Sequence, residues 1–584
     1  IIYNNINAIL SILWYGGSVR KLYNTMLKDY FEVPNKPAIK SGNILSCDFT
    51  DHETFIPQPL DFTRNTLATY VDCNGLIKAS GVSDTELITN GDFSNGSTDW
   101  IIDPAWSIAN GKAFYDATIN AQRLTQPVVT DASKTYQIKF TISGVESGKF
   151  ARFALWVISN ASSKFFTYTQ FKNGEYVVYA SPDGANGNVL HFNALNASSN
   201  DSSFYITNIS LKEVNLNVPR IDYFTEIGKA KELQKPSLLL EPQSTNIVEY
   251  SEDIDRNSGL SEVGSSIVRT NDISNPAGSK ASALLQENTA TSSHFTFKDW
   301  SLTNPSTNTI SVFAKSKGGR NLRFGDGGVG WSSGFTANFD LTAGTSDTGT
   351  IEDYGNGWFR CSVQGTANAA TSRLIIYITD GTTTSYQGDG SSGVYLYGFQ
   401  IEQQSYATSY IPTYGSIATR NVELCDNAGQ RGVFNNQEGT MYVEFTELGF
   451  TNPNQTSIGV SQQSSSNNRL LLFRGGGSNW SFQARAASVN VVSNSINLTT
   501  TETLNKFAKV AIRYKSGEIT AFVNGSQSFT NSSTFTFNGK LDKFGFIPYD
   551  GSTGNNFYGR VKDVKVFRRT LTDSEMAELT NNIT

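Results

Sequence analysis

Seven aromatic side chains are the residues best suited to recognise a sugar. A pyranose ring can stack its apolar face on such a ring, while flanking Asn, Gln, Asp or Arg side chains bind its hydroxyl groups. The candidates are Trp100, Trp106 and Tyr168 in the first third of the chain, Trp331 and Tyr386 in the middle, and Trp480 and Tyr549 near the end. Large aromatic side chains also dominate sandwich cores, and for any single ring a core position is favoured over a binding role. Trp156, in the run FALWVIS, is interpreted as such a core residue.

Residues for nucleophilic or metal chemistry do not occur in a usable pattern. The three histidines, His52, His191 and His294, lie in different segments and none is near a nucleophile motif, so a Ser-His-Asp or Cys-His site lacks its base. The four cysteines are far apart and form no C-x-x-C pair, which argues against a zinc knuckle and a disulfide framework. Glu252 and Asp253, in YSEDID, are predicted to be solvated residues of a loop. We therefore predict that the protein is not an enzyme and requires no cofactor.

Composition and charge set the class of protein. A net charge of -6 argues against nucleic acid as a partner, because phosphate binding relies on a basic surface. The 50 glycines, 12% aromatic and 17% charged residues are typical of sheets joined by polar turns. A chain of 584 residues is too long for one core, so several domains are expected.

The first residues, IIYNNINAILSILWYGG, are apolar but are interrupted by Asn4, Asn5 and Asn7. The run is shorter than the roughly 18 to 20 apolar residues of a membrane span, and it shows neither the basic start nor the A-x-A site of a signal peptide. The next residues, SVRKLYNTMLKDY, have apolar side chains at helical spacing. We predict that residues 1–35 are a partly helical docking segment for a partner, with packing on the neighbouring domain as the alternative.

Three distant segments share one pattern, in which apolar residues are separated first by two positions and then by one. They are FYITNISLKEV from Phe204, VYLYGFQIEQQ from Val394 and YGRVKDVKVFRR from Tyr558. Strand residues alternate between two sides, so the three-residue step moves the apolar set to the other side, which a β-bulge permits. A strictly alternating run lies upstream of each segment, in YQIKFTIS, TISVFAKS and MYVEFTEL, as in strands with one buried side. Each pair of patterns predicts an antiparallel sandwich closed by a kinked strand.

The predicted fold class is mainly β, with tandem antiparallel jelly-roll sandwiches and a short helical N-terminal segment. The predicted parts are the docking segment 1–35, a split connecting module 36–83 plus 216–243, an inserted jelly roll 84–215, a second jelly roll 244–405, a linker 406–432 and a last sandwich 433–584. Insertion of a jelly roll costs little when its first and last strands are neighbours. The two jelly rolls are predicted to be divergent copies, because KNGEYVVYASPDG and GNGWFRCSVQGT occupy similar places in them.

These segments resemble known families. ELITNGDFSNGSTDW, TYQIKFTIS and FYITNISLKEV resemble the beginning, middle and end of a carbohydrate-binding-module jelly roll. DTELITNGDFSNGSTDW is predicted to be its first strand and turn, with turns at the Asn-Gly pairs and with Leu87, Ile88 and Phe93 in contact with the core. FTRNTLATYVDCNGLIKASG and NVPRIDYF, on its two sides, together resemble one motif of phage tail and other structural proteins. KPSLLLEPQSTNIVEYSEDI and GVYLYGFQIEQQSYATSYIPTYGSIATRN resemble the entry and exit of the next module in the same phage proteins.

The last sandwich is similar to the concanavalin-like, laminin-G-like family. The similarity rests on KVAIRYKSGEITAFVNG and on FYGRVKDVKVFRRTLTDSEMAELTNN. Thr572 and Glu575 are predicted to form a capping box at the start of a short helix. The E-x-D-x-x-E pattern of the glycosidases in that family is missing, which agrees with the prediction of no enzyme activity.

The resemblance of the first jelly roll to carbohydrate-binding modules implies a structural calcium ion. In that family its oxygen ligands come from the opening strand and from an Asp of the closing strand. Glu86 and Asp92 match the opening positions, whereas the closing position holds Thr207 and its counterpart in the second jelly roll is Tyr397.

Taken together, the resemblances imply a bacteriophage virion fibre or appendage protein. It would be a homotrimer, docked to other virion proteins through residues 1–35, and it would present its sandwiches to host surface glycans for attachment. One alternative is a structural or decorating virion protein without sugar binding. Another is a bacterial secreted glycan-binding adhesin. No nucleic acid and no membrane span are expected.

Overall fold

The computed structural model describes most of the chain after residue 42. The described residues are 43–48, 61–158, 162–223, 236–332, 335–428, 434–448, 456–462, 465–475, 479–504, 506–546 and 556–581, and their first strand is Asn43–Asp48. They form antiparallel β-sheets with two short α-helices, which confirms the predicted fold class. The chain divides into two compact units, Ile1–Asn43 and Ile44–Thr584, and the architecture below is that of the second. The predicted docking segment and its helix lie outside the described residues.

The first jelly roll packs two five-stranded sheets face to face. Its inner sheet consists, in spatial order, of Gly174–Ala180, Thr135–Ser143, Phe204–Val214, Lys112–Tyr115 and Trp106–Ala109. Its outer sheet consists of Ser162–Phe171, Ala151–Ile158, Gly187–Ala194, Gln122–Thr130 and Ile101–Ile102. Because strand residues alternate between two sides, Ile138, Phe140 and Ile142 of the alternating run all point between the sheets, where they are buried as predicted.

The second jelly roll has the same strand order with additional edge strands. Its inner sheet consists of Thr350–Gly355, Trp358–Ala367, Ser306–Lys317, Gly393–Glu402, Ser282–Glu287 and Ser265–Thr270. Its outer sheet consists of Thr345–Ser346, Thr336–Asp340, Asn321–Gly325, Thr371–Thr379, Thr291–Ser301 and Ser261–Val263, with Ser385–Gln387 paired to Thr291–Ser301. A 3-10 helix, Ile254–Arg256, precedes it. Every strand of the first jelly roll has a counterpart here, which agrees with the predicted relation between the two.

The closing strand of each sandwich contains the predicted kink. In the first jelly roll the register with the neighbouring strand shifts between Thr207 and Ser210, and Asn208 between them has a φ of 53°. Register shifts also interrupt the closing strands of the second jelly roll and of the last sandwich. The apolar residues around all three bulges are buried: Ile206, Ile209, Leu211, Leu396, Phe399, Ile401, Val561, Val564 and Val566.

Residues 84–88, predicted to begin the opening strand, belong to no assigned strand although Leu87 N donates to Leu211 O, and bends and turns follow over residues 89–99. Asn90 and Phe93 have φ values of 49° and 55°, which are incompatible with a strand. Asn-Gly and Asp-containing sequences favour turns, and this local preference prevails here. Ile88 and Phe93 nevertheless reach the core of the first jelly roll, as predicted.

The last sandwich consists of a front and a back sheet with short helices. Its front sheet contains Gly559–Phe567, Glu438–Glu447, Ala508–Lys515, Glu518–Val523 and Ser526–Asn531, and its back sheet contains Val489–Thr499, Asn479–Ala486, Ser465–Arg474, Thr456–Gln462 and Lys543–Gly545. The helices are Thr500–Thr503 and Asp573–Thr580. Thr572 and Glu575 form the predicted capping box of the second helix, whose Met576 is buried. Neither described α-helix has the length and apolar character needed to cross a membrane.

Between the sandwiches lies a body that we call the connector, made of residues 61–83, 216–223, 236–246 and 405–428. Its paired strands are Asp61–Thr63 with Leu424–Asp426, Thr69–Val71 with Ile77–Ala79, and Ser244–Asn246 with Ala418–Arg420. Two more of its strands, Arg220–Asp222 and Ser237–Leu240, extend the front sheet of the last sandwich. Residues predicted to form a split module and a linker therefore pack together, while the predicted domain boundaries stay a prediction.

The first jelly roll enters and leaves the connector at one place. Ser83 N donates to Glu213 O and Asn215 N donates to Gly81 O, both at 2.8 Å, so the two crossing segments run antiparallel. Gly81 has a φ of 75°, and a Cβ there would lie 2.0 Å from the carbonyl oxygen of Asn215. Only glycine fits this close approach. We call these two segments the neck.

Six charged side chains meet in a buried cluster inside the connector, and we call it the connector cluster. They are Arg64, Arg220, Arg420, Glu241, Glu402 and Glu423. Arg64 Nη1 and Arg220 Nε donate to Glu423 at 2.6 and 2.8 Å. Glu241 lies 2.8 Å from both Arg220 and Arg420, and Arg420 reaches Glu402 through the hydroxyl of Thr408. Three positive and three negative charges balance, as burial requires.

The pKa values in the connector cluster follow from burial and pairing. Burial alone would raise the pKa of Glu241, but Arg420 and Arg220 outweigh it and hold that pKa well below its usual range. Burial lowers the pKa of Arg64 to about 10, although Glu423 opposes this shift. Glu241 is thus ionised in the folded protein at neutral pH.

In both jelly rolls, the side of the inner sheet that faces away from the core of the sandwich packs against the connector. In the second, Phe313, Trp358, Tyr395 and Tyr397 form one apolar cluster with Ile77 and Tyr410 of the connector. In the first, Val177 and Tyr179 line a cavity of about 60 Å³ together with Ile77 and Tyr410. The two jelly rolls also meet directly, since the Arg269 guanidinium lies 4.2 Å from the centre of the Tyr176 ring. The outer sheets are left to form the exposed faces.

Candidate functional site

The outward side of the first outer sheet carries an aromatic group that we call the first face. Along Ala151–Ile158, Phe153, Leu155 and Val157 point into the core, whereas Trp156 is half-buried on the opposite side. Every position of FALWVI is apolar or aromatic, so sequence cannot tell which side is inward. The interpretation of Trp156 as a core residue was therefore wrong.

Strand register places polar and aromatic side chains in a row across the first face. Trp156 lies opposite Lys164 on one side and His191 on the other. His191 lies opposite Thr125, which lies opposite the exposed Ile101. The row crosses all five strands of the outer sheet.

Tyr168 completes the first face beside Trp156. The two ring centres are 6.2 Å apart and the rings are inclined by 60°. Asn193 Nδ2 donates to the Tyr168 hydroxyl at 2.8 Å, and Arg123 lies opposite Asn193 on the next strand. Burial raises the pKa of Tyr168, while Arg123 and Arg152 oppose the shift, so this phenol stays protonated at neutral pH.

His191 acts as a neutral polar group of the first face. Burial lowers its pKa, and the positive charge of Arg123 lowers it further. Its Nδ1 lies 2.7 Å from Thr125 Oγ1. The imidazole is therefore uncharged at pH 7 and fixed in orientation.

The second outer sheet carries a different aromatic group, which we call the second face. Phe295 lies opposite Tyr377, and their ring centres are 5.0 Å apart. Phe297, two residues along, shares the same side. On the next strand Arg323 lies opposite Tyr377 and Gly325 opposite Ile375. All three aromatic rings are half-buried on this face.

Polar groups border the rings of the second face. Arg373 donates to Asp299 with two parallel bonds of 2.7 and 2.9 Å, and its guanidinium lies 4.8 Å from the centre of the Phe297 ring. The Arg323 guanidinium lies 5.8 Å from the Tyr377 ring centre. Both faces can thus offer apolar stacking surfaces beside hydrogen-bonding groups, as sugar recognition requires.

Five of the seven aromatic candidates from the sequence lie in the cores. They are Trp100, Trp106, Trp331, Tyr386 and Trp480, each at most 9% exposed. Their polar atoms are also engaged: Trp100, Trp106 and Trp331 donate to backbone carbonyls, and Trp480 and Tyr386 donate to Glu447 and Glu287. The expectation of a stacking platform fails for them in this structure, because a buried ring has no face left for a sugar.

Tyr168 is the candidate that lies on an exposed face, and Tyr549 lies outside the described residues. Sequence reasoning missed Phe295, Phe297 and Tyr377. The sequence HFTFKDW contains a pattern that indicates the positions of the first two. His294, Thr296 and the buried Trp300 are all at even positions, so Phe295 and Phe297, at odd positions, point away from the core. The position of Tyr377 beside them follows only from strand register.

The two predicted calcium ligands are engaged in hydrogen bonds. Glu86 Oε1 accepts from the backbone N–H groups of Leu87, Ile88 and Leu211, and Oε2 accepts from the Ser210 hydroxyl. Asp92 accepts from the N–H and hydroxyl of Ser94, which lowers its pKa. The Glu86 carboxylate is thus directed at hydrogen-bond donors in this structure.

Among the described residues, no three His, Cys, Asp or Glu side chains come close enough to hold a metal ion. Calcium also uses backbone and hydroxyl oxygens, so the structural calcium stays a prediction.

Glu252 is half-buried and Asp253 is buried, whereas both were predicted to be solvated. The Glu252 carboxylate accepts from the hydroxyls of Tyr397 and Tyr410 at 3.0 and 3.3 Å, and burial raises its pKa. Asp253 is buried and paired with Arg269. These two residues are shielded from solvent because the jelly rolls and the connector pack against each other around their loop. These carboxylates therefore serve the junction, far from either face.

His294 and His52 complete the sequence candidates for chemistry. His294 is fully buried and lies between the backbone oxygens of Gly264 and Tyr386. This is the hydrogen-bonded, structural role expected from the sequence. His52 lies outside the described residues.

No curated protein matches this sequence. Solved structures resemble it at low identity. The Ruminococcus gnavus IT-sialidase CBM40 bound to alpha2,3 sialyllactose is 16% identical, with 27% of this chain and 94% of that chain covered and a TM-score of 0.23. The N-terminal CBM22-1-CBM22-2 tandem domain of Paenibacillus barcinonensis Xyn10C is 14% identical, with 56% and 98% covered and a TM-score of 0.20.

Domain 4 of AbnA, a GH43 extracellular arabinanase from Geobacillus stearothermophilus, in complex with arabinotriose, is 14% identical, with 30% and 82% covered and a TM-score of 0.23. Likenesses with such TM-scores say nothing about the ligand of this chain. Residues 432–577 match a laminin G family model described as the Concanavalin A-like lectin/glucanases superfamily, which confirms the predicted similarity of the last sandwich.

Proposed function

We propose that this protein is a non-catalytic glycan-binding protein whose binding surfaces are the first and second faces. One observation carries the proposal: half-buried aromatic rings stand on the outward side of the equivalent sheet in two modules of the same strand order. Rings in these places serve neither core, and exposed apolar groups rimmed by polar ones mark binding sites. The shared placement favours a common use for the two sheets.

Each face supplies the parts that a sugar needs. On the first, a pyranose stacks on Trp156 beside Tyr168, with the Tyr168 hydroxyl and Arg123 near its hydroxyls. On the second, it stacks on Phe297 and Tyr377, with the Arg373–Asp299 pair as hydrogen-bonding partner. Binding of this kind involves no bond cleavage, in keeping with the absence of a catalytic motif in the sequence.

The glycan-binding proposal is tested with the full chain on a glycan array. Trp156→Ala is expected to remove binding to one set of glycans and Phe297→Ala to another, each by more than about tenfold, which is roughly 1.4 kcal/mol. Tyr205→Ala is the matched control, since Tyr205 is a surface aromatic of the inner sheet, 38% exposed. Retention of all binding in the double variant Trp156→Ala/Phe297→Ala would refute the proposal.

We propose further that the glycan is on a host cell surface and that the protein is a homotrimeric bacteriophage virion fibre docked through residues 1–35. The support is the resemblance of FTRN, NVPRIDYF, LLLEPQ and GFQIEQQ to phage structural proteins. Arg64, Arg220, Glu241 and Glu402 come from these phrases and meet in the connector cluster.

The virion proposal is tested on particles. Antibodies to the full chain are expected to label purified particles, and deletion of residues 1–35 is expected to abolish incorporation while the remaining chain still binds glycan. A protein found only on the bacterial surface or in the medium would favour the secreted adhesin. Particles that carry the protein but adsorb equally well without either face would favour the decorating role.

A further inference from the structure

The first face carries two cations in addition to its aromatic rings. Lys164 lies opposite Trp156, with Nζ 6.0 Å from the ring centre. Arg123 lies on the other side of the face, opposite Asn193, and is exposed. Neither side chain forms an ion pair within the described part of the chain. A third cation, Arg152, lies 3.6 Å from Asp201.

The carboxylates around the first face are held by backbone groups. Asp103 accepts from the N–H of Arg123 at 2.9 Å, and Asp183 accepts from the N–H of Lys164 at 2.7 Å. Asp201 accepts from two N–H groups of its own loop. These bonds keep the acids at the edges and leave the charged ends of Arg123 and Lys164 for another partner.

The second face is arranged differently, because its arginine beside the phenylalanine is already satisfied. Arg373 has both parallel donors engaged by Asp299. That pair has no net charge and presents only hydrogen-bonding edges. The two faces thus share a scaffold but differ in charge, since among the described residues the second face has one cation outside an ion pair, Arg323, and the first face has two.

We infer that the first face selects an acidic glycan, in which the ring stacked on Trp156 carries a carboxylate bound by Arg123 and Lys164. The inference rests on the proposed glycan binding and adds the class of sugar. Charge-assisted hydrogen bonds are about twice as strong as neutral ones, and arginine can hold a carboxylate with two parallel bonds. A chain of net charge -6 repels polyanions as a whole, so the selection comes from these local cations.

The test compares two polymers that differ in one group. Polygalacturonate and its carboxyl-reduced form have the same ring, but the second carries a neutral CH₂OH in place of each carboxylate. The full chain is expected to bind polygalacturonate at least tenfold more tightly by affinity electrophoresis or calorimetry. The preference is expected to shrink as salt rises from 50 to 500 mM, because salt screens exposed charges.

Variants assign the effect to the first face. Arg123→Gln/Lys164→Gln is expected to lower the affinity for the acidic polymer about tenfold and to leave that for the reduced polymer unchanged, whereas Trp156→Ala weakens both. Lys134→Gln removes an exposed lysine elsewhere in the same jelly roll and serves as the matched control. Circular dichroism of each variant checks its fold.

The outcomes separate this inference from the proposal on which it rests. Equal binding of both polymers by the unmodified chain would overturn the acidic selection and leave glycan binding intact. A loss in Arg123→Gln/Lys164→Gln no larger than in Lys134→Gln would overturn it too. If the full chain binds neither polymer and no glycan on the array, both the acidic selection and the glycan-binding proposal are overturned.

Discussion

The connector cluster and the two outer faces use the same side chain, arginine, in opposite environments. In the cluster Arg64, Arg220 and Arg420 are fully buried and their charges are balanced by three glutamates. On the faces Arg123 and Arg323 lie beside aromatic rings in no ion pair of the described structure, and Arg373 is in a partly exposed pair.

The difference separates two uses of charge. A buried ion pair gains little net stability over apolar packing, but removal of one partner leaves an uncompensated charge that strongly destabilises the fold. An exposed pair contributes little either way and is available for recognition. The stability of the fold should therefore depend on the connector cluster, and glycan binding should depend on the faces. Substitutions of four carboxylates, taken in order of decreasing burial, test this separation of roles.

Glu423→Gln should have the largest effect on stability. The substitution leaves Arg64 and Arg220 buried without their shared carboxylate, which is expected to lower the free energy of unfolding by about 3 to 5 kcal/mol. Urea unfolding followed by tryptophan fluorescence measures it. Because the protein has several domains, the first transition is the relevant one. A decrease in the free energy of unfolding of less than about 1 kcal/mol would mean that the connector cluster does not stabilise the connector.

Glu287→Gln should come next, within the second jelly roll alone. Glu287 is buried and accepts two bonds from Arg320, one from the Tyr386 hydroxyl and one from the N–H of Asp389. Loss of the charge is expected to cost about 2 kcal/mol, as for hydrogen bonds to a charged group. Glycan binding at the first face should be unchanged, and a change there would show that the jelly rolls are coupled.

Glu575→Gln should cost up to about 1 kcal/mol at pH 7, because it removes the charge that pairs with the partly exposed Arg569, while Gln can still serve in the capping box. Hydrogen bonds from Arg569, with the capping bonds of Thr572, lower the pKa of Glu575 to about 2 from 4.5. A carboxylate with a lowered pKa stabilises the folded state above its unfolded pKa, and this contribution disappears as pH falls from about 4.5 to 2. The variant and the unmodified chain should therefore converge in thermal stability near pH 2, and a constant difference would contradict the assignment.

Asp299→Asn should have the smallest effect on stability and a clear effect on binding. Its partner Arg373 is partly exposed, so the free energy of unfolding should change by less than about 1 kcal/mol. Freeing Arg373 adds a second unpaired cation beside Arg323 on the second face, so its preference should shift towards acidic glycans. Glu213→Gln, which removes an exposed pair with Lys134, is the control for charge loss elsewhere. An unchanged preference would argue against charge as the difference between the faces.

The predictable parts of the fold depend on neighbouring residues in the sequence. The bulge near Asn208 and the capping box of Thr572 and Glu575 were foreseen because both are short-range patterns. The turn at Asn90 follows the local preference of Asn-Gly, whereas the strand that the family resemblance predicts before it is not formed by residues 84–88.

The candidate site was harder to predict because it depends on which side of a strand faces the core. Trp156 lies in a continuous apolar run without alternation, and Trp480 follows the sequence GGGSN yet is fully buried. Tyr377 meets Phe295 only through a register set by residues about 80 positions apart. Likewise the connector cluster brings together residues from four distant segments. The sequence shows these charged residues but does not show that they lie close together.

The neck also determines how the protein carries a mechanical load. A module hung on one linker passes any pull through a single chain, whereas a pull on the first jelly roll is divided between the segments of Gly81 and Asn215. Because both segments are drawn in the same direction, neither slides past the other, and the hydrogen bonds between them are not sheared. Tension on a glycan bound at the first face would therefore be shared by the two segments of the neck. The force would reach the connector cluster through both segments at once.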